Sequence, residues 1–189
     1  GAWVLSDEVY RGAEHDAVES ASFWGRYERT IVTGGLSKAY GLPGLRIGWI
    51  VAPPERIAAA SAMKDYTTIA PATLSELIAA TGLRRREELL ARTRGILNAR
   101  WPLLEAWAKA HAGKLHWTRP QAGAICFFGY SYDIDSWPFV DRLIRERGTM
   151  VVPGSHFLSE RHLRIGFGIP EAKLRAGLAE LDAAFAELG

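Results

Sequence analysis

Residues 37–48, SKAYGLPGLRIG, constrain the fold of this chain more than any other segment. They separate two short apolar runs, residues 30–33 and 47–52, and each run ends at a pair of glycines or prolines. Runs of this kind are typical of short buried β-strands. The sequence therefore predicts a strand, a glycine-punctuated turn and a second strand, with Lys38 where the first strand opens into the turn and Arg46 where the second begins. Two cations eight residues apart are thereby presented at adjoining strand ends.

An acid and a phenol are predicted at the end of a further strand. The apolar run 2–6 leads directly to Asp7, and Tyr10 follows three residues later. Taken singly, such residues carry little information, because aspartate after a strand is commonly a turn residue and a lone lysine is commonly on the surface. An ordered set of acid, phenol, amine and guanidinium is improbable by chance, and it indicates a functional site built where strands end.

In the order of these residues, the chain resembles the class I/II aminotransferases, which are fold-type I pyridoxal phosphate (PLP) enzymes. The resemblance is carried by Asp7, Tyr10, Ser37, Lys38, Gly41, Gly44, Arg46 and Gly48. It continues in order through PQAGA at 120–124, VPGSHF at 152–157 and LRIGF at 163–167. It implies an α/β fold, in which residues 1–100 form the C-terminal part of the PLP-binding large domain and residues 101–189 form a small α+β C-terminal domain.

The resemblance also implies a role for each residue of the set. Lys38 would form a Schiff base with pyridoxal 5'-phosphate and then move the proton, as catalytic acid and base. Asp7 would pair with the pyridine nitrogen, and Tyr10 would donate a hydrogen bond to the ring oxygen O3'. Arg46 would hold the phosphate with two nitrogens, a geometry that suits a guanidinium. Ser37 is a further cofactor-binding candidate.

The same resemblance assigns the substrate α-carboxylate to Arg164 and places His156 near the mouth of the site, where a plain turn role is equally compatible.

The chain departs from the family pattern at one position that concerns the phosphate. Many members carry serine or threonine three residues before the lysine, whereas this chain has Gly35. Ser37 would point differently if its segment were extended, so the phosphate would depend on Arg46 and on backbone N–H groups.

Several features that the family carries ahead of these motifs are not found in the 189 residues. They are the glycine-rich phosphate loop, the aromatic residue that stacks on the pyridine ring and the Asn-Pro segment. We therefore expect the chain to correspond to about the C-terminal half of a subunit. On its own it is expected to be inactive or prone to aggregate, because an open sheet that lacks strands exposes apolar edges and faces.

The activity implied by the resemblance is transfer of an amino group from an amino acid to a 2-oxo acid, in a homodimer. Relatives with the same signature act as lyases or cyclases, such as C–S lyases or aminocyclopropane carboxylate synthase, and the motifs do not separate these reactions. An alternative of another class is a non-catalytic PLP-binding sensor domain. It is less favoured because the chain contains no DNA-binding segment.

Composition and charge limit the kinds of partner and bound group that the chain is expected to have. The formal charge of +2 is too small to indicate nucleic acid, and the basic cluster 84–86 runs into two glutamates, as at a solvated helix start. No apolar window is long enough to span a bilayer. The five histidines lack ligand spacing, so no metal site is expected. The chain has a single cysteine, Cys126, which excludes an internal disulfide and fits a reducing, cytoplasmic setting. Because Cys126 lies in an apolar run, its thiol is predicted to be buried and inert.

The remaining elements follow from periodicity and from proline and glycine. Residues 19–26 are expected to cover the first sheet as a helix or loop, Glu8 to face away from Asp7 in a structural role, and Pro102 to kink a long helix. Helices are predicted at 54–63, within 67–82 with an end at Gly82, at 85–112, 136–147 and 170–188. Strands are predicted at 115–118, 123–130, 150–152 and 162–167.

Overall fold

The computed structural model describes all residues from 1 to 189, and the chain divides into two compact units, Gly1–Gly95 and Ile96–Gly189. Each unit has a β-sheet of its own. The assignment of these units to a PLP-binding large domain and a small C-terminal domain stays a prediction.

The first unit contains the three strands that bracket the motif segments. They are β1 (Val4–Asp7), β2 (Thr30–Gly35) and β3 (Gly48–Val51), in the order β1-β2-β3. The first pair is parallel and the second antiparallel, so the ends of β1 and β2 meet the start of β3 at one edge of the sheet. Gly35 lies opposite Gly48 at this edge. The three strands predicted from the apolar runs are confirmed.

The helices that begin in the first unit are α1 (Pro54–Lys64), α2 (Thr73–Arg84) and α3 (Arg86–Ala110). Proline at the first position of α1 suits its fixed φ, as predicted. The predicted end of α2 at Gly82 is wrong by two residues, because an isolated glycine weakens a helix without ending it. The residues between β1 and β2 form turns rather than a helix.

None of the helices combines the length and the apolar character that a membrane span requires.

Helix α3 continues through Pro102, which therefore does not interrupt it. A proline inside a helix removes one backbone hydrogen bond and crowds the preceding turn. On either side of it, Trp101 and Leu104 are almost completely buried. Their burial against the rest of the second unit offsets that cost, which is why the helical pattern extends past the proline.

The second unit contains a four-stranded antiparallel sheet. Its strands are β4 (Leu115–Trp117), β5 (Ile125–Tyr130), β6 (Val152–Pro153) and β7 (His162–Gly166), in the order β4-β5-β7-β6. Two helices, α4 (Ser136–Arg147) and α5 (Glu171–Ala186), pack their apolar sides on it. The predicted strand at 150–152 is shifted toward the C-terminus, since Met150 and Val151 lie outside the ladder.

The core of the second unit centres on Phe185, which is 2% exposed. Its ring is parallel to those of Phe139 and Tyr132, at centroid distances of 5.2 and 4.8 Å. The cluster is completed by Trp107 and Tyr130 at 6.3 Å each and by His111 at 5.9 Å. Aromatic clusters of this kind provide much of the buried area of a small core.

The thiol of Cys126 lies on the buried side of β5. Burial raises the pKa of this thiol to about 12, so almost none of it is thiolate near neutral pH. The predicted buried thiol is confirmed.

Candidate active site

Lys38 stands on a fixed turn at the end of β2. The amide of Gly41 donates to the carbonyl of Lys38 at 3.1 Å, and Gly41 has the positive φ of 64° that glycine adopts without strain. Leu36 and Ala39, on either side of the lysine, are completely buried. The lysine side chain itself is exposed, and its Nζ makes no hydrogen bond or ion pair within the chain. The turn therefore presents an amine that is available for chemistry.

Arg46 and Ser37 lie side by side. Arg46 ends a 3₁₀ turn (Pro43–Leu45) with φ 56° and ψ 37°, a left-handed conformation that costs a non-glycine residue about 1 kcal/mol or more. In this position its Nη1 donates to the carbonyl of Pro43 at 3.1 Å and lies 3.5 Å from the Ser37 hydroxyl. The extended conformation considered for Ser37 is not observed, because β2 ends at Gly35. A guanidinium beside a hydroxyl is a donor set that suits a phosphate.

The Asp7 carboxylate is oriented by one of its two oxygens. Its Oδ1 accepts hydrogen bonds from the amide of Val9 at 3.2 Å and from the Thr33 hydroxyl at 3.3 Å. Thr33 is the residue opposite Asp7 in the parallel pair β1 and β2. The second oxygen, Oδ2, has no hydrogen-bond partner within the chain and is free to accept a hydrogen bond from a bound group.

The loop that carries Tyr10 is joined to the lysine turn. The amide of Ala39 donates to the carbonyl of Val9 at 3.4 Å, and the amide of Glu8 donates to the carbonyl of Thr33 at 2.8 Å. Tyr10 is half-buried, and its hydroxyl makes no hydrogen bond within the chain. The five predicted cofactor-binding residues thus lie on segments that come together at one edge of the first sheet.

Two carboxylates hold this loop in place. Glu8 Oε1 accepts from the amide of Phe23 at 2.8 Å and from the Ser22 hydroxyl at 2.9 Å, so its predicted structural role is confirmed. Glu14 is 5% exposed and accepts from the amides of Gly12 and Ser20. Burial alone would raise the pKa of Glu14, but these hydrogen bonds hold it below its ordinary value. Glu14 was missed because nothing in its spacing marks it.

The ion pairs that join the start of α3 to the loop after β1 could not be predicted from the sequence. Arg85 pairs with Glu88 on the exposed surface, as expected for a solvated helix start. Arg86, by contrast, reaches back to Glu19, which also pairs with Arg11 at 2.8 Å. Since Arg86 and Glu19 are 67 residues apart, no local pattern could have linked them.

In the second unit, Arg164 lies in β7 with its guanidinium over the ring of Phe157, 5.6 Å from the ring centroid. It makes no ion pair within this unit. His156 is exposed, and its ring lies 5.5 Å from that of Trp137. The roles of Arg164 and His156 toward a substrate stay predictions.

The fold matches those of solved PLP-dependent enzymes. A PLP-dependent aminotransferase from Streptococcus suis superposes with a TM-score of 0.92 at 31% identity, covering 100% of this chain and 50% of that chain. The PLP-dependent cyclase OrfR superposes with a TM-score of 0.91 at 30% identity, covering 100% of this chain and 51% of that chain. The predicted fold-type I α/β architecture is confirmed.

The chain belongs to the aminotransferase class I and II family, whose model matches residues 1–181. PLP is the cofactor of this family, as predicted. Capreomycidine synthase from Streptomyces vinaceus is 33% identical over 182 residues, which are 96% of this chain and 46% of that protein. Aromatic-amino-acid aminotransferase 2 from Thermococcus litoralis is 30% identical over 95% of this chain and 48% of that protein. The chain spans about half the length of these relatives, in agreement with the prediction that it corresponds to half of a subunit.

Proposed function

We propose that the protein to which this chain belongs is a PLP-dependent aminotransferase that moves an amino group from an amino acid to a 2-oxo acid. The observation that carries the proposal is the unpaired Lys38 amine, which stands on a rigid turn beside the Arg46 and Ser37 pair. An amine beside a phosphate-binding pair is the arrangement that PLP requires. The family membership of the chain supports the same conclusion.

The donor and acceptor groups of the first unit fit the cofactor. When bound, PLP supplies an aldehyde that condenses with amines and a pyridine ring that draws electrons from the substrate α-carbon. Arg46 and Ser37 would hold its phosphate. The free Oδ2 of Asp7 would accept a hydrogen bond from the protonated ring nitrogen, and the Tyr10 hydroxyl would donate to the ring oxygen. Asp7 Oδ2 and the Tyr10 hydroxyl have no hydrogen-bond partner within the chain, and Arg46 uses only its Nη1 in its contacts with Pro43 and Ser37.

Lys38 would then act as the acid and base of the reaction. Its Nζ would take the proton from the substrate α-carbon and deliver it to the carbon that the cofactor's aldehyde supplies. The negative charge of Asp7 would keep the proton on the ring nitrogen, which would strengthen the ring as an electron acceptor. Arg164 would bind the substrate α-carboxylate, because its guanidinium has no carboxylate partner in its own unit.

The partners of the protein follow from this chemistry. The substrates would be an amino acid and a 2-oxo acid, bound in turn by the same carboxylate-binding arginine. We propose a homodimer in a cytoplasmic setting as the functional state, in line with the family resemblance.

A second candidate reaction is a PLP-dependent cyclisation or elimination. It is favoured by one observation, that two of the similar proteins are a capreomycidine synthase and the cyclase OrfR. Both reactions need the same acid, phenol, amine and guanidinium. They differ in the fate of the nitrogen, which transamination passes to the acceptor, whereas elimination releases it as ammonia and cyclisation retains it.

Product analysis of the full-length protein separates these reactions. We expect a panel of amino acids with ¹⁵N in the α-amino group, incubated with PLP and pyruvate, to yield ¹⁵N-alanine and the matching 2-oxo acid. Mass spectrometry reports the label, and an ammonia assay reports elimination. Ammonia or a cyclic product without labelled alanine, from every donor that reacts, would overturn the assignment to transamination and favour the second candidate.

Replacing Arg46 by methionine is expected to raise the dissociation constant for PLP by about 10- to 100-fold, the loss of charge-assisted hydrogen bonds to the phosphate. Arginine and methionine both carry a Cβ, so the left-handed backbone at position 46 is equally strained with either residue. Fluorescence titration of the full-length apo-protein measures the constant. Arg26→Met, which removes an exposed guanidinium that contacts only a loop carbonyl, is the control. An unchanged constant in Arg46→Met would exclude Arg46 as a phosphate ligand.

A further inference from the structure

The turn that carries Lys38 is held from α3 by Arg92. Nη2 of Arg92 donates to the carbonyl of Tyr40 at 3.1 Å and to the carbonyl of Gly41 at 3.2 Å. These are the two carbonyls that follow Lys38 and Ala39 along the turn. Hydrogen bonds from a charged donor are stronger than neutral ones, so this single guanidinium group restrains the second half of the turn.

The contact between Arg92 and the turn is close. A Cβ atom built on Gly41 would lie 2.7 Å from Nη2 of Arg92, closer than carbon and nitrogen approach without displacement. Gly41 also has a positive φ, as described above. The glycine therefore serves two needs at once, the shape of the turn and the space that the guanidinium occupies.

The same helix holds the neighbouring loop. Nε of Arg94 donates to the carbonyl of Gly12 at 3.0 Å, two residues after Tyr10. Leu90, which is completely buried, packs against the same glycine, since a Cβ there would lie 2.9 Å from its Cδ2 atom. The start of α3 is thus a common support for both loops that carry predicted cofactor-binding residues.

The position of the Lys38 amine depends on this support. Its side chain makes no hydrogen bond or ion pair that would fix it, so the conformation of the turn sets the region that Nζ can reach. Proton transfer needs the amine within hydrogen-bond distance of the reacting carbon, and a displacement of about 1 Å can cost about 100-fold in rate.

We propose that Arg92 is a positioning residue, which holds the carbonyls of Tyr40 and Gly41 and so fixes the turn from which Lys38 acts. This inference rests on the proposed function for the role of Lys38. Arg92 would exert its effect through the backbone of the turn, whose carbonyls its guanidinium contacts, rather than by contact with cofactor or substrate.

The test compares Arg92→Met with Arg84→Met in the full-length protein. Arg84 lies exposed in the last turn of α2 and makes no hydrogen bond or ion pair within the chain. Arg84→Met therefore removes the same charge as Arg92→Met without breaking a contact. We expect Arg92→Met to lower kcat by about 10- to 100-fold with KM changed less than about twofold. The pH midpoint of the absorbance of the bound cofactor should also shift, and Arg92→Lys should restore both in part.

A second readout needs no cofactor. In the apo-protein, hydrogen exchange at the amide of Gly41, which donates to Lys38, should be faster in Arg92→Met than in Arg84→Met. If Arg92→Met does not fold, Gly41→Ala disturbs the same contact from the turn. Equal kcat, absorbance midpoint and exchange rates in Arg92→Met and Arg84→Met would overturn the inference, even if the melting temperature fell.

Failure of the proposed function gives a different result. In the unsubstituted protein, borohydride reduction with PLP followed by peptide mapping shows whether Lys38 carries the cofactor. If it does not, the proposed function is rejected and with it the role of Arg92 in catalysis. The exchange comparison still decides whether Arg92 holds the turn.

Discussion

Replacing Lys38 by alanine in the full-length protein is expected to lower the rate of amino transfer by about 10²- to 10⁴-fold, the contribution of a positioned acid and base. The first unit contains one other lysine, Lys64, which lies at the end of α1 and donates to the carbonyl of Ile69. The same substitution should abolish the incorporation of PLP after borohydride reduction. Mass spectrometry and single-turnover kinetics measure the two effects.

Lys173→Ala provides the control, because it removes an exposed lysine of α5 and should leave both readouts unchanged. Incorporation of PLP at another residue in Lys38→Ala, with the rate retained, would contradict the assignment. If incorporation is lost while the biological activity of the protein persists, the chain is better explained as a PLP-binding sensor. The experiment therefore separates the enzyme from the alternative of another class.

Replacing Phe185 by alanine is expected to lower the free energy of unfolding by about 3–5 kcal/mol, as for other buried phenylalanines. The ring is parallel to two neighbouring rings and contacts three more, so its removal leaves a cavity among rigid side chains that cannot close in. Urea denaturation of the full-length protein, followed by near-ultraviolet circular dichroism, measures the change in the transition that reports the second unit.

The matched variant is Phe157→Ala, whose ring is 46% exposed in the same unit. Its removal leaves no enclosed cavity, so the expected loss of stability is below about 1 kcal/mol. Similar losses in both variants would mean that the aromatic cluster around Phe185 is not the core that the structure describes. Stability is the quantity compared, since Phe157 also supports Arg164.

The strands that bracket the lysine turn could be predicted because their signals are local. Each is a short apolar run that ends at glycine or proline, and these residues end strands for steric reasons that do not depend on the rest of the fold. Element ends were less predictable. Gly82 does not end α2, and the strand predicted at 150–152 pairs only from Val152, because tertiary packing and register decide these positions.

In the candidate site, too, the local features could be predicted and the distant contacts could not. The motif and the predicted strand ends were enough to locate Asp7, Lys38 and Arg46, which lie at one edge of the sheet in the structure. The supports beneath them could not be predicted, because Arg92 contacts carbonyls 51 and 52 residues away along the chain. Backbone carbonyls are the same for every residue type, so no sequence pattern identifies the acceptor.

Gly35 and Gly48 pair where β2 ends and β3 begins, and this pairing bears on the residue types that position 35 can accept. A Cβ on Gly35 would lie 3.2 Å from the carbonyl oxygen of Ile47, and one on Gly48 would lie 2.9 Å from that of Gly34. A serine or threonine at position 35 would therefore require the two backbones to separate by a few tenths of an ångström. The close pairing at the mouth of this hairpin disfavours a side chain at position 35, which is consistent with the proposal that Arg46 and Ser37, across the turn, hold the phosphate.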